Sequence, residues 1–460
     1  MIKDTKILLI SLNRYDQPYK VFPLGMSYIA AALQKCGCEV IMADCNYDFE
    51  RIENIVIQHQ PDCVGISIRN IDDVRIENNT FFVPELERLV QRLKTVTDVP
   101  FVIGGSAYSL FPERLLEITG IEFGITGEGE QAFVSLAECI GSGDLDVARL
   151  EKIPGLVYRK GGRIVRNLPQ TIDPGNIVQP LRSPGMLEYY IKESSVVNIQ
   201  TQRGCPYTCC YCTYPLIEGR TVRQRSAGNV VDEIEQVIAA GADYLFIVDS
   251  VFNISNDHVA TICEEILKRK ITCQWSCYLR PKGLTSELMK LMKQAGLSHI
   301  EFGSDSLCDS VLDAYGKNFT FNDIYESSEF AREHRVHYAH FLISGGPGET
   351  EATLIEGFEN SKKLRKTVFF PFVGMRIFPG TVLFSKAIQD GLIGGQQDFL
   401  APVFYLSPSL DQVRIRKLHE EFKAQMPNWV IDDVSPEVRF VMDGLRKKGV
   451  RGPLWEFLAR

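Results

Sequence analysis

The sequence predicts an α/β protein in two main parts. A doubly wound, Rossmann-like parallel sheet is expected over residues 1–145, a second strand and helix series over 191–385, and a small, mainly helical region over 386–460. Three observations carry this. Apolar runs of strand length alternate with helical patterns through the first 145 residues. The alternation resumes at Ser195 after a stretch rich in proline and glycine. It stops near residue 386, beyond which Val413, Leu418, Phe422 and Met426 recur among charges as on an amphipathic helix.

The totals narrow the function classes. With 460 residues, 45% hydrophobic and 23% charged, the chain is long enough for two or three ordinary globular cores. A formal charge of −8 and the absence of any Lys/Arg-rich run argue against a nucleic-acid partner held by phosphate contacts. The longest apolar run, Val368 to Met375, is too short for a membrane span and holds a proline. The start, Met-Ile-Lys-Asp-Thr-Lys, has no signal-peptide pattern, so a cytoplasmic location is expected. Thirteen cysteines in such a chain imply thiols and metal rather than disulfides.

The first part opens on Lys6 to Ile10, a continuous apolar run suited to a strand buried on both faces. A helix follows from Gly25 to Lys35, closed by Gly37. Further strands are expected at Glu39-Val-Ile-Met-Ala, Asp62-Cys-Val-Gly-Ile-Ser-Ile, Pro100-Phe-Val-Ile-Gly and Ile121-Glu-Phe-Gly-Ile, with a helix from Pro84 to Lys94 among those between them. Ligands of such sheets bind beyond the carboxyl ends of the strands. Those ends carry Ser67-Ile-Arg-Asn, Gly104-Gly-Ser and Gly127-Glu, where glycines let a large flat ligand approach the backbone; each is also an ordinary turn sequence. No GxGxxG follows the first strand and no GxxxxGK[ST] occurs, so dinucleotides and nucleoside triphosphates are poorly supported.

Residues 146–190 lose periodicity and gain proline and glycine, with a small hairpin signal turning on Gly161-Gly162. They read as a linker packed between domains.

The second part begins with the strand Ser195 to Gln202, which delivers Arg203-Gly-Cys-Pro-Tyr-Thr-Cys-Cys-Tyr-Cys at its carboxyl end. The thiols of Cys205, Cys209 and Cys212 can hold three corners of a cubane cluster and leave the fourth iron open. The plainer alternatives are a zinc site, for which no second CxxC or CxxH pair exists, and buried thiols, which fit poorly beside Gly204 and Pro206. Cys210 reads as packing. Strands then recur at Asp243 to Val248, Thr272 to Tyr278, His299 to Gly303, His337 to Ile343 and Thr367 to Met375. Asp249, Gly303, Ser304, Gly345 and Gly346 at their ends suit a nucleoside, or simply turns and caps; Glu349-Thr350 before Glu351 also reads as a helix start. His334, His337 and His340 span a helix end and a strand and read as core or surface histidines. Cys273 and Cys277 share a strand face and read as packing. Tyr278 and Tyr338 read either as cavity-facing or, the safer reading, as aromatic core, and the tail with Trp429 and Trp455 as a cover for either the barrel mouth or its open edge.

The cysteine loop, including Tyr211 before its last thiol, closely resembles that of the radical S-adenosylmethionine enzymes. Six strands from the loop onward match that family's partial (β/α)6 barrel. The resemblance implies a [4Fe-4S] cluster on Cys205, Cys209 and Cys212, whose open iron chelates S-adenosylmethionine and whose reduction yields a 5′-deoxyadenosyl radical. It also places S-adenosylmethionine near Tyr211, Asp249, Gly303, Ser304, Gly345 and Gly346.

The first part, with Phe22-Pro-Leu-Gly-Met, resembles the cobalamin-binding domain that precedes the barrel in one large radical subfamily. The resemblance implies cobalamin contacts from Leu24, Gly25, Ser67, Arg69, Asn70, Gly104, Gly105, Ser106, Gly127 and Glu128. One departure stands out. No histidine has an aspartate two residues before it, and His59 is the only histidine of this domain, so the resemblance implies base-off cobalamin with no axial histidine. Arg69 would lie below cobalt, or be a solvated or ion-paired arginine at a strand end.

The function implied by the two resemblances together is that of a C-methyltransferase, which moves a methyl group from methylcobalamin to an unactivated carbon after hydrogen abstraction. The alternative is cobalamin-dependent oxidation, cyclisation or ring rearrangement without methyl transfer. A methylthiotransferase would need three further cluster cysteines in the first part. A cluster protein that only senses or carries electrons is the reading from another class. The expected partners are a small-molecule or lipid-like substrate and a flavodoxin- or ferredoxin-type electron donor.

Overall fold

The structure, a computed structural model, describes residues 5–16, 19–394, 397–431 and 436–459. The chain divides into two compact units, with the break in the main path between Tyr189 and Tyr190.

In the first unit, strands β1 (Lys6–Ser11), β2 (Glu39–Asp44), β3 (Cys63–Ser67), β4 (Phe101–Gly104) and β5 (Phe123–Ile125) pair in parallel in the order 2-1-3-4-5. β1 carries four apolar residues in a row, Ile7 to Ile10, all buried, as a strand covered on both faces requires. The helix Leu24–Lys35 ends at Cys36, with Gly37 at φ +99 and Cys38 N–H returning to the Leu33 carbonyl, as the sequence predicts. The helix Val83–Lys94 has Pro84 in its first turn and buries Leu86, Leu89, Val90 and Leu93 at helical spacing.

The expected linker is corrected in its first half. β6 (Leu156–Lys160) and β7 (Arg163–Arg166) form the predicted hairpin, but β6 pairs antiparallel with β5 and extends this sheet to seven strands. Leu156, Val157 and Tyr158 are buried there, which gives the hairpin a core it lacks when read alone.

In the second unit, the short β8 (Val197–Ile199) is followed by β9 (Gln202–Arg203), which pairs with β10 (Arg223–Gln224). β8 then leads a six-stranded parallel sheet through β11 (Tyr244–Ile247), β12 (Gln274–Leu279), β13 (Leu297–Asp305), β14 (His337–Ser344) and β15 (Val368–Val373). Ser226, Ser255, Thr285, Thr320, Thr350 and Thr381 cap the following helices, each side chain accepting from a backbone N–H, which contributes about 1 kcal/mol per cap. Thr350 is thus the helix start its sequence suggests.

Residues alternate between the two faces of each strand. On β13, Ile300, Phe302 and Ser304 face the helices: Phe302 stacks on His340, and Ser304 Oγ bonds His340 Nδ1 at 2.8 Å. His299, Glu301 and Gly303 therefore face the barrel interior, and a bulge that sets Asp305 at φ +61 breaks the alternation beyond them. Register places Tyr278, Glu301 and Ala339 at one level of that interior.

Of the two tail tryptophans, one takes an expected role. Trp429 covers the open edge: Phe369 of β15 bridges to it, Phe369 N–H donates to the Asn428 carbonyl, and Val430 N–H donates to Phe369. Trp455 packs with Ala339 and Val368 at the interior face.

Candidate active site

The cysteine loop is braced at its root. The Asp249 carboxylate accepts from Thr201 N–H at 2.7 Å, Gln202 N–H at 3.2 Å and Thr201 hydroxyl at 2.5 Å. Arg225 and Glu233, both almost fully buried, pair at 2.7 Å, and Arg225 also donates to the Gln200 carbonyl at 2.5 Å. Such a buried charge pair holds only because its hydrogen bonds are made. Gly204, at φ +86, then turns the chain into the thiols.

Cys205 is buried, and Cys209 and Cys212 are half-buried. Cys210 lies in the packing: its N–H donates to the Tyr315 carbonyl at 2.9 Å, and its carbonyl accepts from Leu383 N–H at 2.8 Å. Burial raises the thiol of Cys209 and pushes that of Cys212 up to about 12, so iron must displace protons held tightly. Among the described residues no three His, Cys, Asp or Glu side chains gather to ligate a single metal ion, as zinc would require. A cubane makes a different demand, since each thiolate holds its own iron corner, and three thiols on one loop fit it.

Beside the loop stands a trio of which the sequence singles out only Tyr211. Tyr211 hydroxyl donates to Asp305 at 2.6 Å, and Lys317 pairs with the same carboxylate at 2.5 Å, both charged side chains being buried. Burial opposes the charge on Lys317, but Asp305 and Cys209 outweigh it and hold the ammonium above its ordinary pKa. Asp305 itself sits at φ +61, in the left-handed region. Gly316 passes directly beneath the loop, where a Cβ would meet the Thr208 carbonyl at 2.6 Å.

In the first unit, the carboxyl ends of β3, β4 and β5 form a shelf of small and polar residues. Arg69 is exposed, while Ser67, Asn70, Gly104, Gly105, Ser106 and Gly127 are half-buried. Gly105, at φ +104, admits no side chain, because a Cβ would stand 2.4 Å from the Ile68 carbonyl. Ser106 hydroxyl donates to the Arg69 carbonyl at 2.7 Å. Leu24 is buried and Gly25 exposed at the first helix, with open space at its Cα. Glu128 accepts from Ile172 N–H at 2.7 Å, so part of its carboxylate serves the segment after the hairpin. His59 lies at the other end of the strands, its carbonyl accepting from Lys6. A shelf open at the backbone and free of imidazole fits a large flat corrin.

Residues 16–137 match the B12 binding domain and residues 199–359 match the radical SAM superfamily. The chain carries a B12 binding domain followed by a radical SAM domain. It is 24% identical over 445 residues to the tryptophan 2-C-methyltransferase of Streptomyces laurentii, covering 82% of this chain and 74% of that one. It is 27% identical over 352 residues to the anaerobic magnesium-protoporphyrin IX monomethyl ester cyclase of Cereibacter sphaeroides, covering 73% and 55%. Its fold matches the solved radical S-adenosylmethionine methyltransferase TsrM of Kitasatospora setae, a structure with cobalamin and a [4Fe-4S] cluster bound, at TM-score 0.88 and 24% identity over 99% of this chain and 97% of that one.

Within the radical SAM barrel, four of the residues expected to meet S-adenosylmethionine have partners inside the chain. Asp249 is engaged by Thr201 and Gln202 and acts as a brace. Ser304 is fully buried and turned to His340 on the helix side. Gly345 N–H donates to Glu349, and Gly346 N–H donates to Tyr315 hydroxyl at 3.0 Å. A Cβ on Gly346 would stand 2.4 Å from that ring, so this glycine makes room for Tyr315. Tyr211 and half-buried Gly303 remain on the interior side. Burial pushes the Glu349 carboxyl up to about 8 against the pull of its hydrogen bonds, and Glu301 up to about 7.

The histidines form no cluster: His334 bonds Ser286, His340 bonds Ser304 and Ser328, and exposed His337 stacks on His299. Tyr338 is core, but Tyr278 is 41% exposed, against expectation. A cavity of about 460 Å³ lined by Asp243, His299, His337, Arg451 and Glu456 lies at the amino-terminal ends of the strands, away from the cysteine loop.

Proposed function

We propose that this chain is a cobalamin-dependent radical SAM C-methyltransferase that methylates an unactivated carbon of a small-molecule or lipid-like substrate. The observation that carries this is the pairing, in one chain, of a three-thiol loop and a glycine-lined shelf at the ends of β3, β4 and β5. Likeness to a tryptophan 2-C-methyltransferase supports it. The working division is 1–145 for cobalamin, 146–190 as connection, 191–385 for radical formation and 386–460 as cover.

When bound, the cluster and S-adenosylmethionine supply a 5′-deoxyadenosyl radical and cobalamin supplies the methyl group. Cys205, Cys209 and Cys212 would hold the cluster. Tyr211, Gly303, Asp305 and Lys317 would meet S-adenosylmethionine, with Lys317 offering a buried positive charge to its carboxylate. Leu24, Gly25, Ser67, Arg69, Asn70, Gly104, Gly105, Ser106, Gly127 and Glu128 would hold cobalamin base-off with no axial histidine; the position of His59 supports this. The apolar barrel interior would keep water from the radical. A flavodoxin- or ferredoxin-type protein would deliver the electron, and thirteen free thiols fit the reducing cytoplasm.

Likeness to the cyclase favours a second reading, cobalamin-dependent radical chemistry without methyl transfer. Anaerobically reconstituted protein, given S-adenosylmethionine, hydroxocobalamin and reductant, should show a corrin spectrum and produce 5′-deoxyadenosine. With substrate, product mass should rise by one methylene unit. Intact cluster without deoxyadenosine would sink the radical reading, and products without added mass would select the second.

A further inference from the structure

The interior face of the barrel sheet is mostly aromatic and apolar. Phe246 meets Tyr278 edge-on at 4.9 Å, and Phe341 stacks on Phe370 at 5.1 Å and on Phe372 at 6.3 Å. Into this face the fold sets the carboxyl of Glu301. Glu301 is 7% exposed, and its single hydrogen bond among the described residues comes from Trp455 Nε1 at a long 3.4 Å. A buried carboxyl with so few donors is costly, and such a group calls for a reason.

Its position supplies one. Glu301 lies on β13 four residues before Asp305, which bonds Tyr211 of the cysteine loop. At roughly 3.3 Å per residue the carboxyl lies at most about 13 Å along the strand from that contact, because a bulge intervenes. On the adjacent strand, Tyr278 is the register partner of Glu301, and Arg280, two residues on, lies over the Tyr207 ring of the same loop at 4.4 Å. Both strands therefore run from the level of Tyr278 and Glu301 up to the cluster loop. At that level Tyr278 is 41% exposed, so the interior is open on its side, while Trp455 covers Ala339 on the other.

We propose that Glu301 and Tyr278 anchor the substrate, and that the substrate carries an N–H or O–H group on an aromatic or otherwise apolar body. The carboxyl accepts from that group, the phenol adds a second polar contact, and the aromatic wall takes the rest. The assignment deepens the proposed function and rests on its placement of radical formation in this barrel.

Equilibrium dialysis of the reconstituted full chain tests it with three probe pairs: indole and 1-methylindole, phenol and anisole, aniline and N,N-dimethylaniline. In wild type at least one donor-bearing probe should bind about tenfold tighter than its methylated twin. Glu301→Leu should reduce that preference to within about twofold, and Tyr278→Phe should weaken it severalfold. If no pair shows a preference, or if the preference survives both variants, the anchor is overturned. Should Glu301→Leu fail to fold, Tyr278→Phe decides alone, since it alters a half-exposed side chain. Deoxyadenosine yield and iron content measured on the same samples report on the proposed function separately. A chain that makes the radical without any probe preference loses only the anchor, and one with the preference but no radical loses the enzyme reading.

Discussion

Asp249 holds Thr201 twice, accepting from its backbone N–H at 2.7 Å and from its hydroxyl at 2.5 Å. Because the hydroxyl proton goes to Asp249, His258 Nε2, 3.0 Å from the same oxygen, must donate; burial holds that imidazole down near a pKa of about 4, hence neutral. Asp249→Ala leaves the N–H groups of Thr201 and Gln202 buried without an acceptor, at a cost of about 2–4 kcal/mol. Urea unfolding should show that loss, and reconstituted iron content should fall with it. Asp249→Asn, which keeps one acceptor, should lose less on both measures.

The four neighbouring thiols should separate cleanly. Single changes of Cys205, Cys209 or Cys212 to Ala should abolish the cluster absorbance and deoxyadenosine formation. Cys210→Ala should retain both and lose about 1 kcal/mol of stability from the packing around it. Iron loss in the Cys210 variant equal to the other three would reassign the ligands.

Glu349, fully enclosed between Gly345, Gly346 and Tyr315, should make stability fall as pH rises. Its folded pKa of about 8 exceeds the ordinary 4.5, so the folded chain holds the extra proton between those values and stability decreases across that window. Glu349→Gln should flatten the decline, recovering on the order of a few kcal/mol near pH 8. His340 acts on the acid side: burial lowers it to about 3, so stability is lost as pH falls below 6.5 toward 3. Urea midpoints between about pH 3 and 9 measure both limbs.

Trp455→Ala should be severe. It opens a void against Ala339 and Val368 and removes the single bond to Glu301, so a loss of about 3–5 kcal/mol is expected. Glu301→Leu made in the same background should restore part of it, because the carboxyl left without its donor is then gone. Urea unfolding of the two variants compares them; equal stabilities would mean that Glu301 draws nothing from the indole.

Sequence reading succeeds where the signal is local. Thiol spacing, the apolar runs of both sheets, Gly37 and the Thr350 cap each depend on a few adjacent residues. It fails where a residue's direction matters. Strands of a parallel sheet are covered on both faces, so their alternation is blurred, and nothing in His-Ile-Glu-Phe-Gly-Ser-Asp tells which residues look inward. The sequence therefore points to Ser304 where Asp305 faces the loop, and Tyr278 reads as core for the same reason. Lys317 stands at the end of a short helix with no motif around it, and only the fold brings it to Asp305. The hairpin at Gly161-Gly162 is visible as a hairpin, but its partner β5 is three residues long and some thirty residues upstream.

The pairing of Phe369 with residues 428–430 bears on how the chain behaves when shortened. An uncovered β15 would offer a row of unmatched amides and carbonyls beside Phe370 and Phe372, a template on which a second molecule can add a strand. Chains ending before Asn428 should therefore self-associate during expression even where the remaining fold is intact, whereas chains ending just after Val430 keep that edge closed.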